Sequence, residues 1–277
     1  MSIQKKAGPF FYLFLLIFLF IIMFPFLWVL LAALKPPNEL FGEHAFQLII
    51  ENPTLDNFAR VFTERPFGTY LWNSTVVATL TTMYAIAIAS FAAYAIAWLP
   101  FRGKSIVLGI VLAVSMFPQI ATISPIFMFM QSMGLTNSYL GLIIPYTTFA
   151  LPLAIWNLTV FFRKIPIDLG EAAKVDGASI LQTMTKVFFP LAMPGVFTTA
   201  ILVFIAAWNE FLFALTINTQ EAMKTVPVGI VMFQGQYTMP WGEISAASII
   251  VTIPLVILVL VFQRRIVSGL TSGAVKE

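Results

Sequence analysis

The chain has 277 residues, 60% of them hydrophobic and only 10% charged, far from the roughly half-apolar, quarter-charged balance of a soluble domain. So few charges cannot cover a soluble surface, and with a mean hydropathy of +0.93 the composition predicts an integral membrane protein. The lack of Cys and the single His, His44, exclude a disulfide framework, a thiolate metal site, a cysteine nucleophile and, without carboxylate help, a histidine metal cluster; the net charge of +3 lies scattered beside apolar runs, which fits membrane orientation rather than nucleic-acid binding.

In chain order, the first apolar run is Phe10–Leu34, uncharged and long enough to cross about 30 Å of hydrocarbon. It exceeds the apolar core of a cleavable signal and no A-x-A-like site follows, so it predicts a retained anchor, kinked at Pro25. Further charge-poor runs near Tyr70–Leu99, Ser105–Met130, Tyr139–Phe162, Gly195–Ile217 and Ser245–Phe262 bring the expectation to about six helices. Continuous runs of this length predict an all-α polytopic membrane protein, not a barrel of short alternating strands. We expect a single membrane domain over 1–277, with an anchor at about 10–34 and core helices over about 70–262.

Lys and Arg placement orients the spans. Lys5, Lys6, Arg102, Lys104, Arg163, Lys164, Lys174, Lys186, Arg264, Arg265 and Lys276 fall on one side, 11 of the 15 basic residues. Lys35, Arg60, Arg65 and Lys224 fall on the other, beside most of the acids: Glu39, Glu43, Glu51, Asp56, Glu64, Glu221 and Glu243. Both termini are therefore expected in the cytoplasm of a cell (plasma or inner) membrane. Lys35–Thr69 and Asn218–Ile244 form long outer loops, Arg163–Pro194 a long inner loop, and the connections around Arg102 and Thr136 tight turns.

The inner loop, residues 163–194, carries the densest signals. Asp168 and Glu171 sit favourably at the positive end of a helix dipole. Gly177 breaks that helix and permits a sharp turn. Ser179 and Gln182 form an S-x-x-Q capping box that starts a second helix, which Pro190 and Pro194 end. Two short helices joined at Gly177 could rest on lipid or dock into a protein groove. Local physics leaves both open, although the small Ala172, Ala173 and Ala178 offer little apolar anchoring.

The run Glu171-Ala172-Ala173, then Asp176-Gly177-Ala178, then Pro190, resembles the EAA loop of permease subunits of binding-protein-dependent ATP-binding-cassette importers. The likeness extends over nearly the whole chain. Asn73-Ser74, Trp208-Asn209-Glu210 and the tail Gly269–Lys276 resemble the MalG-like branch that serves carbohydrates. The resemblance implies a type I importer permease fold and a non-catalytic subunit forming half of a pore for sugars. It implies a second, MalF-like permease, two copies of an ATPase carrying ATP and magnesium, and an extracytoplasmic solute-binding protein. Glu171, Ala172, Ala173, Asp176, Gly177 and Pro190 would couple to the ATPase: Glu171 meeting a basic group, the alanines allowing close packing, Gly177 setting the turn. The Asn218–Ile244 loop would face the binding protein, although its Tyr237 and Trp241 suit interface anchoring better than a sugar probe. The tail would reach the ATPase pair.

No cofactor is expected on this chain. Gly103-Lys104-Ser105 imitates the end of a phosphate loop, but the Gly that such a loop needs five positions earlier is Trp98. Asp56, Asp168 and Asp176 all fall in loops, as does His44, so neither an aspartyl pair nor a membrane histidine is available for catalysis. For the substrate path, Glu210 is the one ionisable residue inside a predicted span, flanked by Trp208 and Asn209. A buried charge usually faces a watery cavity, yet Glu210 lies close enough to the outer boundary for a structural role, which is the favoured reading. Pro118, Gln119 and Pro125 make the third span a pore-lining candidate, because freed backbone groups must be resatisfied by protein or water. An ion-coupled secondary transporter is the rival reading; it requires buried titratable or ion-coordinating groups and often shows paired broken helices from inverted repeats, and here Glu210 is the sole charge available with no visible repeat. An importer of the same family for a non-carbohydrate solute is the other alternative.

Overall fold

The computed structural model describes residues 8–41, 46–235 and 239–271, with side chains described as far as residue 263. The expectations placed on Lys5, Lys6, Glu43, His44, Tyr237 and the tail beyond Thr271 lie outside these residues. Among the described residues the elements are helices and turns, without strands, as a chain in lipid requires when it does not close a barrel.

Among the described residues four helices are long and apolar enough to cross a membrane: α1 (Pro9–Leu34), α3 (Phe67–Trp98), α6 (Tyr139–Phe162) and α12 (Trp241–Thr271). Two bent pairs raise the number of candidate spans to six: α4 (Lys104–Ser115) with α5 (Gln119–Ser132), and α8 (Ile180–Leu191) with α9 (Met193–Trp208). The expected third span is thus no straight rod; its halves meet at 92°. At about 1.5 Å per residue neither half alone reaches 30 Å. Pro118 lacks an N–H and disfavours the helical conformation at the residue before it, which accounts for the break here. Pro125, by contrast, lies within continuous helix, as does Pro25 in α1. The fifth span also breaks, at Asn209–Phe211, before the short α10 (Leu212–Ile217).

The chain divides into two units, residues 1–67 with 230–253, and residues 68–229 with 254–277. In the first, α1 turns all its side chains but a few near its end outward, and only Ala33 is buried. The loop after α1 contains α2 (Asp56–Thr63), for which the sequence reading had no helix. Asn57 of α2 donates its amide to the carbonyls of Ala33 and Lys35, both at 2.9 Å. Those are carbonyls that the end of α1 would otherwise leave open.

The second unit is built on small residues. Ala78, Ala85, Ala89 and Ala93 of α3 are fully buried, and the last three join a cluster with Leu158 and Phe162 of α6 and Val196 and Val203 of α9. Small side chains let membrane helices approach until dispersion holds them, because lipid offers no hydrophobic drive between them. Gly195 takes this furthest: a Cβ there would lie 2.2–2.6 Å from the Phe161 ring. Tyr139, at the start of α6, donates to Asn73 near the start of α3 at 2.8 Å. Trp98, at the end of α3, donates to the carbonyl of Phe162, at the end of α6, at 3.0 Å. The two helices therefore run parallel, which an intervening crossing by α4 and α5 requires.

Replacing Gly195 with Val should overpack the α6–α9 contact and destabilise the protein by about 1–3 kcal/mol. Thermal unfolding of the detergent-purified protein checks this: a melting temperature equal to wild type would show that Phe161 yields freely.

Candidate functional site: an exposed helical hairpin and a polar cleft

Residues 163–194 fold as two helices joined at Gly177; the second begins at the predicted capping box, while the first begins after Pro166 without a side-chain cap. Helix α7 (Ile167–Val175) carries Asp168 in its first turn, with Pro166 preceding it, and Asp176 as its last capping position. Gly177 adopts φ +76°, the left-handed region where a Cβ is penalised. Its N–H bonds the Lys174 carbonyl at 3.0 Å and the next N–H, of Ala178, bonds that of Ala173 at 2.9 Å. These two bonds make a Schellman motif and satisfy the terminal carbonyls of α7. Ser179 then accepts from the Gln182 N–H at 3.3 Å while the Gln182 side chain accepts from the Ser179 N–H at 2.8 Å, the reciprocal capping box that starts α8.

Helix α8 ends one residue beyond Pro190 and meets α9 at 80°. Its middle, Thr183–Phe188, is a π-turn. The wider winding falls just before Pro190, which lacks an N–H and whose ring crowds the carbonyl four residues back. Pro194 sits in the first turn of α9, where its missing donor is not needed.

The hairpin has two faces. Gly170 and Ala173, three apart, turn inward: a Cβ on Gly170 would stand 3.1 Å from the Trp98 ring and 3.2 Å from that of Phe188, and Ala173 is buried. Trp98 and Phe188 pack edge to face at 4.4 Å between centroids. Glu171, Ala172, Lys174, Val175 and Asp176 are exposed. Of the alanine pair, then, only Ala172 shares the outward face with Glu171. The sequence reading missed the apolar part of that surface, namely Ile167, Val175, Ile180 and Leu181, with Val175 88% exposed. Its signal was four aliphatic residues in a segment otherwise read for charges and caps.

A second polar feature lies within the same unit. Glu210, at the break between α9 and α10, accepts from the N–H groups of Phe213 at 2.9 Å and Ala214 at 3.2 Å. It therefore caps α10 from within the chain, the structural role favoured for it. Glu210 and Gln119 line one cleft of about 110 Å³ together with Tyr146, Phe149 and Phe213. Trp208, Asn209 and Pro118 are not among its lining residues. Trp208 is 2% exposed and stacks on Phe204, and the Asn209 amide donates to the Ile205 carbonyl at 2.8 Å. Tyr146 was not anticipated, since an aromatic residue in an apolar run reads as packing.

At the far end of α3, the loop after α10 is pinned by side chains. Asn73 donates to the carbonyls of Ala222 and Lys224, each at 2.9 Å, and Ser74 accepts from the Val226 N–H at 2.8 Å. Glu221 bonds both Tyr70 and Lys224. Gly103, by contrast, holds φ +89° in the turn between α3 and α4, with no strand before it, so Gly103-Lys104-Ser105 has none of the surroundings of a phosphate loop.

Residues 85–272 match the family model described as "Binding-protein-dependent transport system inner membrane component". The chain belongs to that family. It is thus the membrane component of a transport system that depends on a binding protein. It is 44% identical over 259 residues to the trehalose/maltose transport system permease protein MalG of Thermococcus litoralis, covering 92% of each chain. It is 46% identical over 256 residues to the trehalose transport system permease protein SugB of Mycobacterium tuberculosis, again with 92% of each covered. Among solved structures, a bacterial ABC transporter involved in import of the acidic polysaccharide alginate superposes with a TM-score of 0.80 at 20% identity, over 95% of this chain and 99% of that one. That likeness carries the fold, which is that of an importer permease.

Replacing Ser179 with Ala should remove the capping box and weaken the start of α8 by about 1 kcal/mol. Hydrogen exchange of the amides over residues 180–183 checks it: exchange should quicken there and stay unchanged over α6.

Proposed function

We propose that this chain is the permease subunit of an ATP-driven importer of sugars. It forms half of the pore with a second, MalF-like permease, receives cargo from an extracytoplasmic binding protein, and is driven by two copies of an ATPase. The observation that carries the reading is the two-faced hairpin. Its inner face is packed on the aromatic ends of α3 and α8, and its outer face presents Glu171, Ala172 and Val175. A surface both rigidly held and partly apolar is what a moving partner needs if it is to push without slipping.

In this reading Glu171 pairs with a basic group on the ATPase, Ala172 lets the surfaces approach, and Gly177 with Asp176 fixes the turn. Ala173 packs beneath the hairpin, and Pro190, exposed near the end of α8, shapes that end. ATP and magnesium are held by the ATPase, and this chain performs no chemistry. Both termini and the hairpin face the cytoplasm, in keeping with the Lys and Arg bias. The sugar assignment rests on relatives named for trehalose and maltose and, at 42% identity, one from Agrobacterium fabrum named for sulfoquinovosyl glycerol transport. Trp208, Asn209, Glu210, Pro118 and Gln119 remain the proposed neighbourhood of the substrate path, with Glu210 and Gln119 its nearest members.

The test is uptake of radiolabelled trehalose and maltose by proteoliposomes holding the whole assembly. Vanadate should abolish uptake of the transported sugar and an uncoupler should leave it unaffected; the reverse pattern rejects the ATP-driven reading. Pro cannot take φ +76° and would lose the bond from residue 177 to Lys174, so Gly177→Pro should cut uptake by at least tenfold. Wild-type uptake by that variant would remove the hairpin from the mechanism.

A further inference from the structure

Resting on the permease reading, we propose that this chain itself contacts the cargo, through a half-site for an uncharged, hydroxyl-rich solute formed by Tyr146, Glu210 and Gln119.

The argument begins with an unsatisfied group. The Tyr146 hydroxyl is buried, the residue being 4% exposed, and has no partner in hydrogen-bonding geometry among the described residues. It lies beside the Glu210 carboxylate without the geometry of a hydrogen bond to it. A buried hydroxyl without a partner is destabilising by about 1–3 kcal/mol, and such orphans mark places where water or a ligand supplies the missing bond. The two oxygens of Glu210 accept one backbone N–H each, which leaves about half of the roughly four lone-pair sites of a carboxylate open. Gln119 adds an exposed amide, donor and acceptor together, at the first turn of α5. One wall thus offers a hydroxyl, a carboxylate with spare acceptor capacity and an amide.

The opposite character is also present. Phe149 and Phe213 line the same cleft, their rings 5.2 Å apart. Apolar ring faces beside a few convergent polar groups are the usual make-up of a small-molecule site, and suit a solute with C–H faces and hydroxyl edges. The carboxylate supplies the selectivity. In a low-dielectric surround it repels a like charge strongly, so the half-site favours neutral sugars over acidic ones.

Size makes this half a site. At about 110 Å³ the cleft is well below the roughly 300–1,000 Å³ of a complete small-molecule site. That admits one edge of a sugar ring, so the remaining contacts must come from the other permease. Tyr146 lies seven residues into α6, about 10 Å along the helix from its start, within the membrane depth of the chain.

The experiment uses the complete assembly with its binding protein, trapped with vanadate in the presence of radiolabelled maltose or trehalose, whichever the wild type takes up. Sugar retained per assembly is counted after gel filtration. Wild type should retain label, and an excess of an unlabelled diuronate should displace it at least tenfold less well than the unlabelled neutral disaccharide. Tyr146→Phe, which removes one oxygen, should lower retention about tenfold, and Gln119→Ala should lower it several-fold. Should Tyr146→Phe fail to assemble, Gln119→Ala, at an exposed position, decides alone. Wild-type retention by Gln119→Ala together with any assembled Tyr146→Phe overturns the half-site. Equal displacement by the diuronate overturns its preference for neutral cargo. Neither result touches the permease reading, which fails only if wild-type uptake ignores vanadate.

Discussion

Hydrocarbon offers no hydrogen bonds, so every backbone group at membrane depth must find its partner within the protein. That constraint explains where this chain spends its few polar side chains. At the Asn209–Phe211 break, the N–H groups of Phe213 and Ala214 turn to Glu210. At the Met116–Pro118 corner, the N–H groups of Met116 and Phe117 fall back on the carbonyls of Ala113 and Val114 at 3.1 and 3.2 Å. Where the loop after α10 folds back, Asn73 and Ser74 meet its carbonyls and its N–H. Polar residues in these helices serve first as backbone partners. Tyr146 is one of several buried polar groups among the described residues without a partner, and the one of them that lines the cleft with Glu210.

The same logic separates what could be read in the sequence from what could not. Helices α1, α3, α6 and α12 announce themselves as long apolar runs, because length and hydropathy alone decide whether a helix can span. The hairpin was equally legible: Gly177 and the Ser179–Gln182 pair act over three or four residues, so local chemistry determines the turn. The right angle between α4 and α5 was not, because a proline between apolar residues signals a kink, a break or a tolerated distortion alike. Pro25, Pro118 and Pro125 look similar in sequence, and only Pro118 opens the chain.

Placement across elements was harder still. Glu210 and Gln119 were suspected one by one, yet their meeting in one cleft depends on the fold of α5 beside α6 and α9. Tyr146 could not be singled out at all, since its distinguishing property is a place beside Glu210 in the cleft, which only three dimensions reveal. Ala172 and Ala173 looked equivalent, and the 100° step between successive helical positions sends one outward and the other in. Helix α2 went unread because its eight residues are too few for a periodic pattern to stand clear of a polar loop.

Helix α1 has a different consequence, for how the sequence can drift. Its side chains are exposed along nearly the whole span, with Ala33 alone buried. Among the described residues Pro9–Leu27 are all exposed, so exchanges among Leu, Ile, Phe and Val over that stretch leave the described packing untouched. What lipid demands is oiliness over sufficient length, a property many sequences share.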